Sequence, residues 1–280
     1  MRGPPFPARA RVCTLLRGAS RALARARGRR RYRCCALTGM TEHVKLRRIC
    51  TDSMLELQSL APDGSWEPAT DQAALGGAIF DRGWELATAQ RHLKESGSVL
   101  PFQPASFRDF MLYERHAIDA ARGLVRRFHP TQSRATGWVE KLTRRPFQLF
   151  KPNALFYQQP VYYMSNHLSF VPSGTPVAIP SYSSALDFEL EIGFVLKAPL
   201  CDASPAEALD AIGAFVVVND FSARDVQRAE MATGLGPQKS KHFASSMSVL
   251  AVTADEILPC IDDLSGSVSI NGTTVSTVFS

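Results

Sequence analysis

The stretch Asp187-Phe188-Glu189-Leu190-Glu191-Ile192 sets three carboxylates at every second position. On an extended strand such positions share one face, with Phe188, Leu190 and Ile192 on the other. Two readings of this stripe stand open. On a half-exposed strand the acids simply face water. The strand continues, however, into apolar Gly193-Phe-Val-Leu, which points to a core. Like charges crowded there are costly unless a cation compensates them. Donors that are all oxygen select a hard ion, Mg²⁺, Ca²⁺ or Mn²⁺, over zinc. A further acid, Asp220, ends the apolar run Val216-Val-Val-Asn219. It reads either as a turn residue or as a functional group at a strand end. After it, Ser222-x-x-Asp225 has the form of a capping pair opening a helix. Arg224 and Gln227, three apart, share a face of that helix, as solvated side chains or as site groups.

The elements that must carry these residues are mostly short strands. Leu186–Leu196 begins as an alternating strand, Phe215–Val218 is a continuous apolar one, and Ser248–Val252 and Val268–Ile270 follow. Asn271-Gly272 is a hairpin signal. Ser204–Ile212 reads as a helix capped by Ser204 with Pro205 at its first position. Upstream, Ser106 is placed to cap a helix on which Phe110, Tyr113, Ala117, Ala120 and Leu124 recur at helical spacing. Val139 to Pro180 is Pro-rich and aromatic, and reads as loops around short strands. Nearer the start, Val44-Lys-Leu-Arg-Arg-Ile suggests a strand and Pro62-Asp-Gly-Ser a turn, with helices around Gln72–Ile79 and Gly83–Glu95. The sum is a β-rich α+β body.

Composition narrows the function classes. Apolar residues make up 45% of the 280 and charged residues 21%, ordinary for a globular chain. The net charge is +6, yet residues 1–40 hold eleven arginines and no acid, so the rest is net negative by five charges. A nucleic-acid surface on the body is therefore not expected. Met1–Met40 reads as a mitochondrial-type targeting segment, a disordered basic tail, or an extension ahead of a start at Met40. Location is accordingly cytoplasmic, or mitochondrial if that segment is a targeting signal. The chain contains no run of about 18 apolar residues, so no membrane span is expected. The six cysteines show no repeated pair spacing, which argues against a disulfide scaffold or a zinc site. Three regions follow: a tail over 1–40, a region of uncertain fold over 41–103, and a body over 104–280.

Three blocks in order, Leu186-Asp-Phe-Glu189-Leu-Glu191, Asn219-Asp220-Phe-Ser-Ala-Arg224-Asp-Val-Gln227 and Gly236-Pro237-Gln-Lys-Ser-Lys241-His-Phe, resemble the fumarylacetoacetate hydrolase family. Asp109-Phe110 with His116 seven residues on, and Pro160-Val161-Tyr162-Tyr163 leading to Ser173-Gly174-Thr175-Pro176, extend the likeness upstream. It covers roughly Arg108 to Ser280. The resemblance implies a mixed β-sandwich roll, homodimeric, with Mg²⁺ or Ca²⁺ (Mn²⁺ as an alternative) between Asp109, Glu189, Glu191 and Asp220. It implies His116 as the base that activates water, Lys241 with Gln227 at the oxyanion, and Tyr163, Arg224 and Gln227 at the substrate. Lys239 is a register rival of Lys241, and His167 and His242 read as structural or surface groups. Long members continue with strands that complete the roll, carrying a glutamate that orients the histidine and a threonine at the substrate. The expectation for this chain is thus a roll incomplete at its C-terminus.

The activity so implied is hydrolysis of a carbon–carbon bond in a 1,3-dicarbonyl acid of fumarylacetoacetate or acylpyruvate type, as in aromatic amino acid catabolism. A 1,3-dicarbonyl can chelate a hard cation through two oxygens, which polarises the carbonyl under attack. An imidazole has a pKa suited to taking a proton from water. Glu114, two residues from His116, does not face it on a helix, so no dyad is expected there. Decarboxylation or isomerisation of a related keto acid is the alternative, since one scaffold hosts several chemistries. A catalytically silent metal-binding relative is the other.

Overall fold

A computed structural model describes residues 12–18, 45–52, 54–69 and 83–280. The helix expected around Gln72–Ile79 lies outside them.

The fold is organised by one long apolar strand. Ile212–Asp220 (β10) is rich in β-branched residues, and its core-facing side chains Ala214, Val216 and Val218 are buried. Leu190–Leu196 (β9) runs antiparallel along one side, with Glu191 opposite Val218 and Gly193 opposite Val216. Two short strands share the other side: Ala251–Thr253 (β13) pairs at its start and Ser245–Met247 (β12) at its end. β13 passes the sheet on to Lys45–Cys50 (β2), Leu55–Leu60 (β3) and Trp66–Pro68 (β4), all antiparallel. β12 passes it to Phe170–Pro172 (β7), which is parallel, so the sheet is mixed. The first strands thus extend the same sheet that holds the acids. The Pro62-Asp-Gly-Ser turn joins β3 to β4, with Gly64 at φ 87°. Only glycine adopts that conformation at low cost.

Leu46, Leu100, Phe170, Val216, Val218 and Met247 meet on one face of this sheet as its core. Gly83–Ser96 (α1) lies against β2 and β7. Pro205–Asp210 (α4) has the expected start, a full capping box between Ser204 and Glu207 with Pro205 in the first turn. Ala254–Ile257 (α6) follows β13. The hairpin Leu264–Ile270 (β14) and Thr273–Phe279 (β15) turns at Asn271-Gly272, both at positive φ of 51° and 81°. Those angles are what a tight two-residue hairpin requires. Val12–Gly18 (β1) pairs antiparallel with β14, a pairing the Arg-rich composition gives no sign of.

Four expectations are corrected. Ser106 caps nothing: Phe107–Met111 is a strand (β5), and the helix (α2) is Glu114–Phe128, with Tyr113 at its N-cap. The strand is imposed from afar by antiparallel pairing with Val161–Ser165 (β6), including Phe110 packed on Tyr162 at 4.9 Å. Non-local pairing here overrides helical spacing. Pro130–Thr143, read partly as loop, is a helix (α3), tied to α2 by Arg122 on Glu140. The Leu186–Leu196 strand breaks at Phe188–Glu189, leaving Leu186–Asp187 (β8) to pair with Ser222–Ala223 (β11). Finally, Ser222 does not cap: the helix (α5) is Arg224–Met231 with Ala223 at its N-cap. The Ser222 hydroxyl donates instead to the Asp220 carbonyl, and the Asp225 carboxylate accepts from Ser183 and Ser184.

Candidate metal centre

The side chains that build the core become polar at one end of it. Along β9 the core face runs Val195, Gly193, Glu191; along β10 it runs Val216, Val218, Asp220; along β12 it runs Met247, Ser245. Three adjacent strands therefore exchange apolar for polar residues at the same level. Asp220 is wholly buried there, its Oδ1 accepting from the Ser245 hydroxyl at 2.9 Å. Glu189 sits in the break before β9. Its carbonyl accepts from the Asp220 amide at 3.0 Å and its amide donates to Asn219 Oδ1 at 3.2 Å. These bonds take the place of the strand alternation.

The fourth acid arrives on a separate ribbon. Asp109 stands at the middle of β5, directly opposite Tyr163 on β6. The Tyr163 oxygen lies 2.7 Å from Asp109 Oδ2 and 2.6 Å from Asp220 Oδ2, so this phenol joins ribbon to sheet. One carboxylate oxygen each from Asp109, Glu189, Glu191 and Asp220 then falls within 4.8 Å of the others. All four expected ligands are brought together. Asp187 is not among them: it turns away to accept from Arg224 Nε at 2.8 Å.

Two cations, Lys241 and Arg224, face these five carboxylates. Lys241 is 1% exposed, and its Nζ donates to Glu189 Oε2 at 2.7 Å and Asp220 Oδ2 at 2.6 Å. The register question is thereby answered geometrically, since Lys239 lies outside over the Tyr182 ring at 4.1 Å. Arg224, at the first turn of α5, also pairs with Glu189, and its Nη1 donates to Gln227 Oε1 at 2.9 Å. Burial works against ionisation of Glu189, but Lys241 and Arg224 overcome it and hold its carboxyl below the ordinary range. Burial likewise opposes the Lys241 charge, and Glu189 and Asp220 more than restore it.

The other carboxyls are under-compensated. Burial, with Asp220 and Glu189 adding repulsion, pushes Asp109 up to about 7 against the pull of Tyr163 and Lys241. Glu191 is pushed well above its ordinary value by burial and then by Asp109, Asp220 and Glu189. Among the described residues no hydrogen-bond donor or ion-pair partner reaches the Glu191 carboxylate. Burial and the two aspartates raise Tyr163 as well, so its hydroxyl stays protonated. That hydroxyl has one proton for two short O···O contacts. A second proton, on Asp109, satisfies the other contact and agrees with its raised pKa. An all-oxygen cluster of this size, with one carboxylate lacking any donor, fits a hard divalent cation.

His116 is exposed in the first turn of α2, and no hydrogen bond among the described residues links it to the carboxylates. Glu114 accepts from Tyr157, not from His116. His242 lies by the Met164 carbonyl, and His167 by its own carbonyl accepts from Gln103. Sequence reading missed Ser245 and Asn219, which orient Asp220 and Glu189. The only trace of them is polar residues at the ends of otherwise apolar strands.

Residues 140–278 match the family model described as fumarylacetoacetate (FAA) hydrolase C-terminal. Oxaloacetate tautomerase FAHD1, mitochondrial, of Homo sapiens is 33% identical over 115 residues, covering 41% of this chain and 52% of that protein. Fumarylacetoacetase of Emericella nidulans is 29% identical over 187 residues, covering 60% of this chain and 38% of that protein. The chain thus spans about half or less of the length of these curated relatives. In fold it is similar to 5-carboxymethyl-2-hydroxymuconate delta-isomerase from Mycobacterium smegmatis, with a TM-score of 0.52 at 17% identity over 84% of this chain and 75% of that one. It is also similar to the fumarylacetoacetate hydrolase of Exiguobacterium antarcticum, with a TM-score of 0.50 at 15% identity over the same 84% and 75%. The matched segment carries Glu189, Glu191 and Asp220 together with Arg224, Gln227 and Lys241, and by this match the chain belongs to the fumarylacetoacetate hydrolase family.

Proposed function

We propose that the protein is a metal-dependent hydrolase that cleaves a carbon–carbon bond in a 1,3-dicarbonyl acid of fumarylacetoacetate or acylpyruvate type. The observation that carries this reading is the convergence of Asp109, Glu189, Glu191 and Asp220 within 4.8 Å beside the buried Lys241. These four residues would hold Mg²⁺, Ca²⁺ or Mn²⁺. When bound, such an ion supplies Lewis-acid polarisation of a dicarbonyl and charge compensation for its enolate form. Lys241 Nζ would meet a developing oxyanion, with the Gln227 amide as a second donor. Arg224, fixed by Asp187 and Glu189, would bind a substrate carboxylate. Tyr163 keeps its proton and orients Asp109 and Asp220. His116 accepts the proton of the attacking water, which requires the first turn of α2 to close over the site. A homodimer is part of the proposal, checked by light scattering.

A second reading, keto–enol tautomerisation of a 2-oxo acid, is favoured by a specific observation. His116 is exposed and, among the described residues, has no hydrogen bond to the carboxylates, whereas proton transfer at a polarised carbonyl needs no activated water. It also accords with the tautomerase among the relatives. The two separate in one experiment: acylpyruvate cleavage and oxaloacetate tautomerisation followed with Mg²⁺ in the native chain and in His116→Ala. Hydrolysis falling at least about 100-fold in the variant supports the first reading. Native protein that binds Mg²⁺ and tautomerises oxaloacetate without cleaving acylpyruvate sinks it.

A further inference from the structure

Among the described residues Lys241 is the one lysine buried with the carboxylates, and its ammonium pairs with Glu189 and Asp220. Both are metal ligands in the reading above, so their oxygens are shared once a cation binds. A lysine side chain has about 2 kcal/mol of rotamer entropy. What then keeps Lys241 aimed at the site is its backbone. That backbone arrives on a loop with two left-handed glycines, Gly234 at φ 79° and Gly236 at φ 78°, which on its own has many conformations.

One side chain gathers this loop. Glu230, near the end of α5, accepts from the Gln238 amide at 3.0 Å, the Lys239 amide at 2.8 Å and the Ser240 amide at 3.1 Å. It also accepts from the Ser240 hydroxyl at 2.6 Å. Three consecutive amides wrapped on one carboxylate form an anion nest, here filled by the protein itself. The grip is continuous with the site. The Ser240 carbonyl accepts from the Ala223 amide at 2.9 Å, next to Arg224, and the Lys241 amide closes a turn on the Gln238 carbonyl at 3.0 Å. The same helix holds the other approach through Asp225, which accepts from Ser183 and Ser184 ahead of Asp187. So α5 presents Arg224 to the centre and clamps the two segments that bring Asp187 and Lys241.

From this geometry we infer that Glu230 is a positioning residue for Lys241, acting through the backbone of residues 238–240 and touching neither substrate nor metal. The inference rests on the site reading above only for what Lys241 does; its placement of Lys241 is tested without turnover. The experiment is acylation of the metal-free native chain with an amine-reactive acetyl ester. Modification at Lys241 is quantified by peptide mass spectrometry against exposed Lys197 in the same sample, for native, Glu230→Gln and Glu230→Ala. The Lys241 rate relative to Lys197 is expected to rise at least about tenfold in Glu230→Ala, with Glu230→Gln intermediate because its amide oxygen still accepts. Where turnover is present, kcat falls about 10- to 100-fold with KM within about twofold, as for a displaced catalytic group. Unchanged Lys241 labelling in a folded Glu230→Ala overturns the inference. So does loss of folding in both variants, which assigns Glu230 to general stability. Absence of hydrolysis in the native chain, with labelling changed as expected, counts against the hydrolase reading alone.

Discussion

Replacing Asp109 with asparagine tests the electrostatic account of the centre most directly. Asp109 has a carboxyl pushed from 3.8 up to about 7, first by burial. A group whose folded pKa is raised favours folding while protonated. That contribution is full below about pH 4 and is lost as pH rises through about 7. One pKa unit is about 1.4 kcal/mol, so the shift is up to about 4 kcal/mol of pH-dependent stability, less whatever solvent relaxation at this half-buried site returns. An asparagine here would keep the Tyr163 contact and carry no titration. In the absence of metal at pH 8, Asp109→Asn is therefore expected to be more stable than the native chain. The gain is roughly 2–4 kcal/mol, or about 4–16 °C in Tm for a protein of this size. Adding Mg²⁺ reverses the order. The native chain gains stability, increasingly so from pH 6 to 8, because binding must release the Asp109 proton. The variant gains little at any pH. Thermal melts from pH 5.5 to 8.5 with and without Mg²⁺, and calorimetric titration in two buffers of different ionisation enthalpy, measure both effects. A metal-free Asp109→Asn that is less stable at pH 8, or a native Mg²⁺ affinity that is flat across this range, refutes the reasoning.

The same arrangement sets further outcomes. Lys241→Met leaves Glu189 and Asp220 buried without their ammonium and should cost about 3–5 kcal/mol, read as a fall in Tm that Mg²⁺ partly recovers. Gly193→Ala would place a Cβ 3.0 Å from Val216 Cγ2 and 3.1 Å from Val218 Cγ2. Both valines are buried and stiff at χ1, so overpacking of about 1–3 kcal/mol outweighs the entropy gained by losing a glycine. Chemical denaturation measures the loss, and an unchanged midpoint would contradict the close approach of β9 to β10. Hydrogen exchange over residues 107–116 should slow when Mg²⁺ binds the native chain and stay unchanged in Asp109→Asn. Slowing in both would detach the ribbon from the metal.

Much of this centre is written locally, and the parts that are not share one physical cause. Glu189, Glu191 and Asp220 are legible because short-range alternation and an apolar run ending in an acid mark them. Asp187 misleads on the same grounds. The alternation that links it to Glu189 is broken when Asp187 Oδ1 takes its own Phe188 amide at 2.9 Å and β8 pairs with β11. For Asp109 the local pattern is actively wrong, since helical spacing extends back through a segment that β6 holds as a strand. Its partner Tyr163 is 54 residues away, a distance no window of periodicity spans. Lys241 and Lys239 are indistinguishable by type and spacing. They differ by burial, which depends on Glu230 folding the loop between them. Ser106 and Ser222 each precede a true helix and have the composition of caps. Strand pairing takes the residues around both before a cap can form.

The location of the acids also explains how the fold tolerates them. Val195, Val216, Val218 and Met247 pack the core face of β9, β10 and β12, and Glu191, Asp220 and Ser245 continue the same face beyond it. The hydrophobic strands thus fix the positions of three polar groups by register alone, with no flexible loop between core and site. Glu189 sits in the break just before β9, and Asp109 comes from a separate element, the β5–β6 ribbon, whose Phe107 packs on core residue Phe170 at 4.8 Å. Ribbon and sheet are therefore joined by an apolar contact at Phe107 and by the Tyr163 hydroxyl held between Asp109 and Asp220. The apolar contact is indifferent to charge, whereas the polar one must accommodate the ionisation of Asp109. A cation among the four carboxylates would displace the Asp109 proton and add a stronger tie at the same place. Because α2 begins only three residues after β5 ends, tightening of this joint by a bound cation would act next on the helix turn that carries His116.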